Sequence, residues 1–132
     1  MTAQAEGAFE VTSWDEGTYR ELKGQSKLTK VTVVQAYTGG LEATSSWEGL
    51  MLYRDDGTAF FTGLQHVVGT LHGREGSFVT LTCGEYNGEQ AMTEWSVVVR
   101  SATGDLAGLE GSGTATASAG AAGSYTFDYD LH

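Results

Sequence analysis

The chain has no proline, one cysteine, seven lysines and arginines, and no apolar run long enough to cross a membrane. Each shortage excludes something. With only Cys83, no intramolecular disulfide forms, and the chain fits a reducing compartment. Seventeen acidic residues against the seven basic ones give a formal charge of -10, which repels phosphate backbones and anionic lipid surfaces. Neither nucleic acid nor membrane is an expected partner. The opening Met1-Thr2-Ala3-Gln4-Ala5-Glu6 lacks the basic and apolar stretches of a secretory leader, so the cytoplasm is the expected location. His66, His72 and His132 show no ligand spacing with Cys83 or a carboxylate, so no metal is expected. Phosphate-cradling and Gly-x-Ser-x-Gly motifs are missing too, and the glycines from Gly104 to Gly113 do not open a helix after a strand. No cofactor is expected.

What remains is a chain 40% hydrophobic, with three tryptophans, six tyrosines, five phenylalanines and nineteen glycines. At 132 residues that is one domain, 1–132, large enough to bury a core. Its dominant signal is alternation. Tyr125, Phe127, Tyr129 and Leu131 alternate with polar residues, as do Ala5, Gly7, Phe9 and Val11. Leu28 to Thr38 is rich in β-branched residues and ends at Gly39-Gly40. Leu41 to Tyr53 and Thr58 to Leu71 flank Asp55-Asp56-Gly57, a loop suited to a three-residue hairpin. That loop sets a register in which Tyr53 faces Ala59, Met51 faces Phe61, Gly49 faces Gly63 and Trp47 faces Gln65. His72 to Gly76 reads as a turn, Ser77 to Tyr86 as a strand, and Asn87-Gly88 as a hairpin leading to Ala91 through Arg100. Thr103 to Gly111 reads as a compact turn and Gly113 to Ser118 as a short strand before the last one. About eight strands without a helical period predict an all-β fold, a closed antiparallel eight-stranded barrel.

Parity sorts the two faces. Gln35, Tyr37, Trp47, Met51, Tyr53 and Phe61 fall inward, with Gln65, Phe78, Thr82, Trp95, Tyr125 and Tyr129 on the later strands. That interior holds no charge. Such a barrel is either filled by its own side chains or holds one small ligand, and inward Gly7, Gly49 and Gly63 favour a void. Gln35 and Gln65 need partners when buried, supplied by one another, by tyrosines, by water or by a ligand oxygen. Val97 and Val99 are expected to share the side of Trp95. Glu48, His66 and Glu94 fall outside, and Cys83 is expected to be an inert buried thiol. Leu50, Leu52, Phe60 and Leu64 form an outer apolar patch, which points to a homo-oligomer.

Four segments in order, Phe9 to Asp15, Met51 to Thr58, Thr103 to Leu109 and Tyr125 to Leu131, resemble a bacterial family of unknown function with the allene oxide cyclase-like, or dirigent-like, barrel. That architecture is also calycin-like. The resemblance implies relatives that act as cyclases or guide ring closure, and small oligomers. It also implies that Gln65 stands where an acidic residue is more usual and Thr82 where histidine is more usual. Proton transfer by such a pair is then lost. The expected function is a cofactor-independent cyclase or isomerase acting on a small hydrophobic polyene or polyketide-like molecule by conformational templating. Gln65, Gln35 or Tyr53 would polarise one oxygen, with Tyr37, Trp47, Met51, Phe61, Phe78, Thr82, Trp95, Tyr125 and Tyr129 binding substrate. The alternatives are a non-catalytic carrier or sensor of a small apolar molecule and a filled barrel that mediates protein contacts.

Overall fold

The computed structural model describes residues 3–118 and 122–131. They form β1 (Ala3–Glu21), β2 (Lys27–Gly39), β3 (Leu41–Tyr53), β4 (Ala59–Leu71), β5 (Arg74–Tyr86), β6 (Gln90–Val97), β7 (Thr103–Gly104), β8 (Glu110–Ser118) and β9 (Ala122–Asp130). All pairings are antiparallel, and β4 joins β5 to close an eight-stranded ring that β7 merely decorates. Branched and aromatic side chains alternate along these strands because one face meets the core and the other water.

The β3–β4 hairpin has the register its loop requires: Tyr53 opposite Ala59, Met51 opposite Phe61, Trp47 opposite Gln65. Gly57 takes the left-handed conformation at φ +87°, and Asp56 Oδ1 accepts from both the Thr58 amide (3.0 Å) and its hydroxyl (2.6 Å).

Three boundaries differ from expectation. β1 runs to Glu21 instead of ending near Thr12, because bulges at Val11/Ser13 and Thr18/Arg20 let a polar, weakly patterned stretch keep pairing with β2. The turn before β5 shrinks to His72-Gly73, both at positive φ. β6 stops at Val97, where the chain turns through Arg100 at φ +66° and leaves Val99 74% exposed, outside the barrel that holds Trp95.

The interior has two halves. At the end holding the first residues of β1 and the last of β9, Phe78, Phe127 and Tyr129 stack in series and Trp95 packs 4.6 Å from the Phe127 ring centre. Leu106 and Leu109, from the compact turn after β7, plug that end. The turn is closed by amide bonds from Leu106 to Thr103, Ala107 to Gly104 and Leu109 to Leu106. Tyr125 straps the same end shut: its hydroxyl accepts from the Leu41 amide (3.0 Å) and donates to the Thr38 carbonyl (2.8 Å). A second cluster, Val31, Val33, Trp47, Met51 and Ala59, lies towards the other end.

Candidate functional site

Between these clusters lies a cavity of about 310 Å³, at the lower end of the about 300–1,000 Å³ range of small-molecule pockets. One wall is aromatic, made by Phe9, Trp14, Trp47, Phe61, Tyr86 and Trp95. The other is built of small residues, Ala91 and Thr93 on β6 with Ala115, Ala117 and Ser118 on β8. The void comes from that small wall and not from the glycines expected to supply it. A Cβ on Gly49 would stand 2.3 Å from the Trp47 ring, and one on Gly113 2.4 Å from the Trp95 ring, so these glycines seat indoles. Gly7 likewise gives its space to the Thr38 carbonyl and the Tyr125 hydroxyl.

A polar belt forms the inner end. Tyr37 Oη lies 2.7 Å from Gln65 Oε1 and 2.9 Å from Gln35, Ser45 Oγ donates to Gln65 Oε1 (2.9 Å), and Gln65 Nε2 donates to Thr80 (3.3 Å). Tyr37 has one proton, directed at the two amide oxygens Gln65 Oε1 and Gln35 Oε1, with Gln65 the nearer. Burial pushes the Tyr37 phenol up to about 12, against the pull of Ser45 and Gln65. Thr82 lines the cavity at 5% exposure, and among the described residues its hydroxyl has no partner. An unpaired buried hydroxyl costs about 1–3 kcal/mol.

At the mouth, the bulge after Val11 shifts β1 by one residue and turns Trp14 and Glu16 inward. Trp14, 51% exposed, borders the cavity and donates from Nε1 to Glu16 Oε1 (2.9 Å), while Thr29 donates to Glu16 Oε2 (2.6 Å). Burial raises the Glu16 carboxyl, but hydrogen bonds from Thr29, Tyr53 and Trp14 and the charge of Lys27 outweigh it and hold the group below its ordinary value. β9 pairs with β1 only from Ala3 to Glu10, so among the described residues β1 past Glu10 is bordered on one side only, by β2. Among the described residues, Val11 and Trp14 on β1 and Ala117 and Ser118 on β8 therefore flank a side opening to the cavity.

The family described as "Protein of unknown function (DUF3224)" matches residues 5–129. The chain belongs to that family. A DUF3224 protein of unknown function from Shewanella oneidensis MR-1, solved as a crystal structure, is similar over 100% of this chain and 99% of its own, at 26% identity and a TM-score of 0.80. No curated protein matches.

Within this DUF3224 barrel, eight of the twelve anticipated site residues line the cavity: Gln35, Tyr37, Trp47, Met51, Phe61, Gln65, Thr82 and Trp95. Phe78, Tyr125 and Tyr129 instead fill the plugged half, where Tyr129 also contacts His72. Tyr53 turns to Glu16, and burial followed by that hydrogen bond pushes its phenol well up. Cys83, expected to be buried, is exposed, because the residue after inward Thr82 points out of the barrel. Glu48, His66 and Glu94 lie outside as parity required. Among the described residues no three His, Cys, Asp or Glu side chains gather as metal ligands, and no helix is long and apolar enough to cross a membrane.

Sequence reasoning missed Trp14 and the small wall. The break of alternation at Thr12-Ser13 marks the first, and the repeated Ala and Thr at positions 91, 93, 115 and 117 mark the second.

Proposed function

We propose that this barrel binds one small, uncharged, largely apolar molecule in its open half and promotes that molecule's cyclisation or isomerisation by holding it in a reactive conformer. The observation that carries the binding is the cavity itself, aromatic on one side, small on the other, and bordered among the described residues by no Asp, Glu, His, Lys or Arg. An unpaired charge would be costly there. Among the described residues the lining offers tyrosine phenols, Tyr37 and Tyr86, but no carboxylate or imidazole to act as a base beside them, so chemistry there rests on restricting the substrate's shape. The allene oxide cyclase-like resemblance supplies the reaction class. A carrier or sensor role is favoured by one feature: the Gln65 oxygen accepts from Tyr37 and Ser45 and is spent on the protein.

Native mass spectrometry of freshly purified protein, followed by extraction, tests the binding. A retained uncharged compound in equimolar amount supports it; a bare protein that takes up no apolar probe contradicts it. Incubating the extracted compound with the protein separates the two roles, since a carrier returns it unchanged and a cyclase or isomerase does not.

Self-association belongs to the same proposal. Leu50, Phe60, Leu64 and Leu81 are 39–53% exposed on the outer face of β3, β4 and β5, an apolar strip suited to a second copy and read by light scattering. Exposed Cys83, the chain's one thiol, supports a reducing, cytoplasmic setting.

A further inference from the structure

Thr82 leaves the hollow half chemically unfinished. It points inward from β5 between Gly63 on β4 and Trp95 on β6, is 5% exposed, and borders the cavity. Among the described residues its hydroxyl has no hydrogen-bond partner. The neighbours offer no relief. Gly63 has no side chain, and the Trp95 ring lies over Gly113. Gln65 has its oxygen taken by Tyr37 and Ser45 and its amide directed to Thr80. Valine would fill the same volume without burying a polar atom, so in the empty barrel the hydroxyl is a cost with no return. Buried orphans of this kind call for a specific explanation.

We infer that Thr82 is a ligand anchor and that the molecule it receives is neutral, apolar in its skeleton, and equipped with a carbonyl-type oxygen that accepts the Thr82 proton. This deepens the reading of the hollow half as a binding site and rests on it. Counting hydrogen bonds selects the carbonyl. A carbonyl oxygen takes the threonine proton, and one bond satisfies both groups. A ligand hydroxyl would leave a proton unmatched, either its own or that of Thr82. A carboxylate would enter a lining with no cation among the described residues, in a protein of formal charge -10. The aromatic wall then covers the skeleton, and the side opening by Trp14 gives access.

The test uses four probes on one skeleton, acetylnaphthalene, ethylnaphthalene, naphthylethanol and naphthoate, titrated calorimetrically against the full chain and its Thr82→Val and Thr82→Ser variants. Acetylnaphthalene is expected to bind the parent protein about tenfold more tightly than ethylnaphthalene, the worth of one well-placed hydrogen bond. Thr82→Val is expected to erase that preference without weakening ethylnaphthalene, and Thr82→Ser to keep it. Unliganded Thr82→Val is expected to melt at or above the parent temperature, which a structural hydroxyl would not allow. Equal binding of ketone and hydrocarbon, a preference that survives Thr82→Val, or tightest binding of naphthoate or naphthylethanol overturns the anchor while leaving the cavity reading intact. A parent protein that binds none of the four overturns both.

Discussion

The plugged and open ends of the barrel are made by the same eight strands and differ in what those strands turn inward. At the plugged end, large rings meet large rings, and Leu106 and Leu109 close the remaining gap. At the open end, large rings face alanine, serine and threonine across the bore. The difference shows how one closed sheet divides its labour: stability sits where packing is complete, and binding where one wall is thinned.

Breaking the plugged end has the largest expected effect. Phe127 is 0% exposed and contacts Phe78, Trp95 and Tyr129, so Phe127→Ala is expected to cost about 3–5 kcal/mol in urea unfolding. A loss below about 1 kcal/mol would mean this end is not the packed one.

Alkaline pH strikes the belt between the halves. Burial raises the Tyr37 phenol from 10.0 to about 12, so the folded chain keeps a proton that the unfolded chain releases. The neutral phenol's contribution is therefore full below about pH 10 and is lost as pH rises through about 12, at roughly 2–3 kcal/mol in all. Tyr53 and Tyr125 are raised too and add to the same fall. Denaturant midpoints against pH check this, and Tyr37→Phe is expected to flatten the curve in part.

Filling the open end sharpens the comparison. Ala115→Leu is expected to change stability by less than about 1 kcal/mol while weakening ethylnaphthalene by about tenfold or more, because the added carbons enter void; in a packed core the same change costs about 1–3 kcal/mol. The smallest expected effect is at the mouth. Glu16→Ala is expected to shift the Trp14 indole N–H resonance and speed probe exchange, since that N–H loses its acceptor.

Much of this was legible in the residues. The β3–β4 register follows from Asp55-Asp56-Gly57, and parity places Trp47, Gln65, Thr82 and Trp95 inside. What parity does not carry is position along the bore. Tyr125 and Trp47 are equally inward, yet one straps the closed end and the other walls the cavity, because strand stagger around the ring sets depth. Bulges are half-hidden: the two polar residues Thr12-Ser13 break the alternation, but the break does not say that pairing with β2 continues past it on a shifted face, which sets the roles of Trp14 and Glu16. Glycine parity pointed to a void that is taken up otherwise: the Trp47 indole bends over Gly49, the backbone of β3 approaches Gly63, and the Thr38 carbonyl and Tyr125 hydroxyl crowd Gly7.

Diffraction from crystals pressurised with xenon tests the thinned wall most directly, because xenon enters apolar cavities and finds none in packed cores. The expected result is xenon between Trp47, Phe61 and Ala115, with none between Phe78 and Phe127. Side chains filling the first site and excluding the gas would contradict the account.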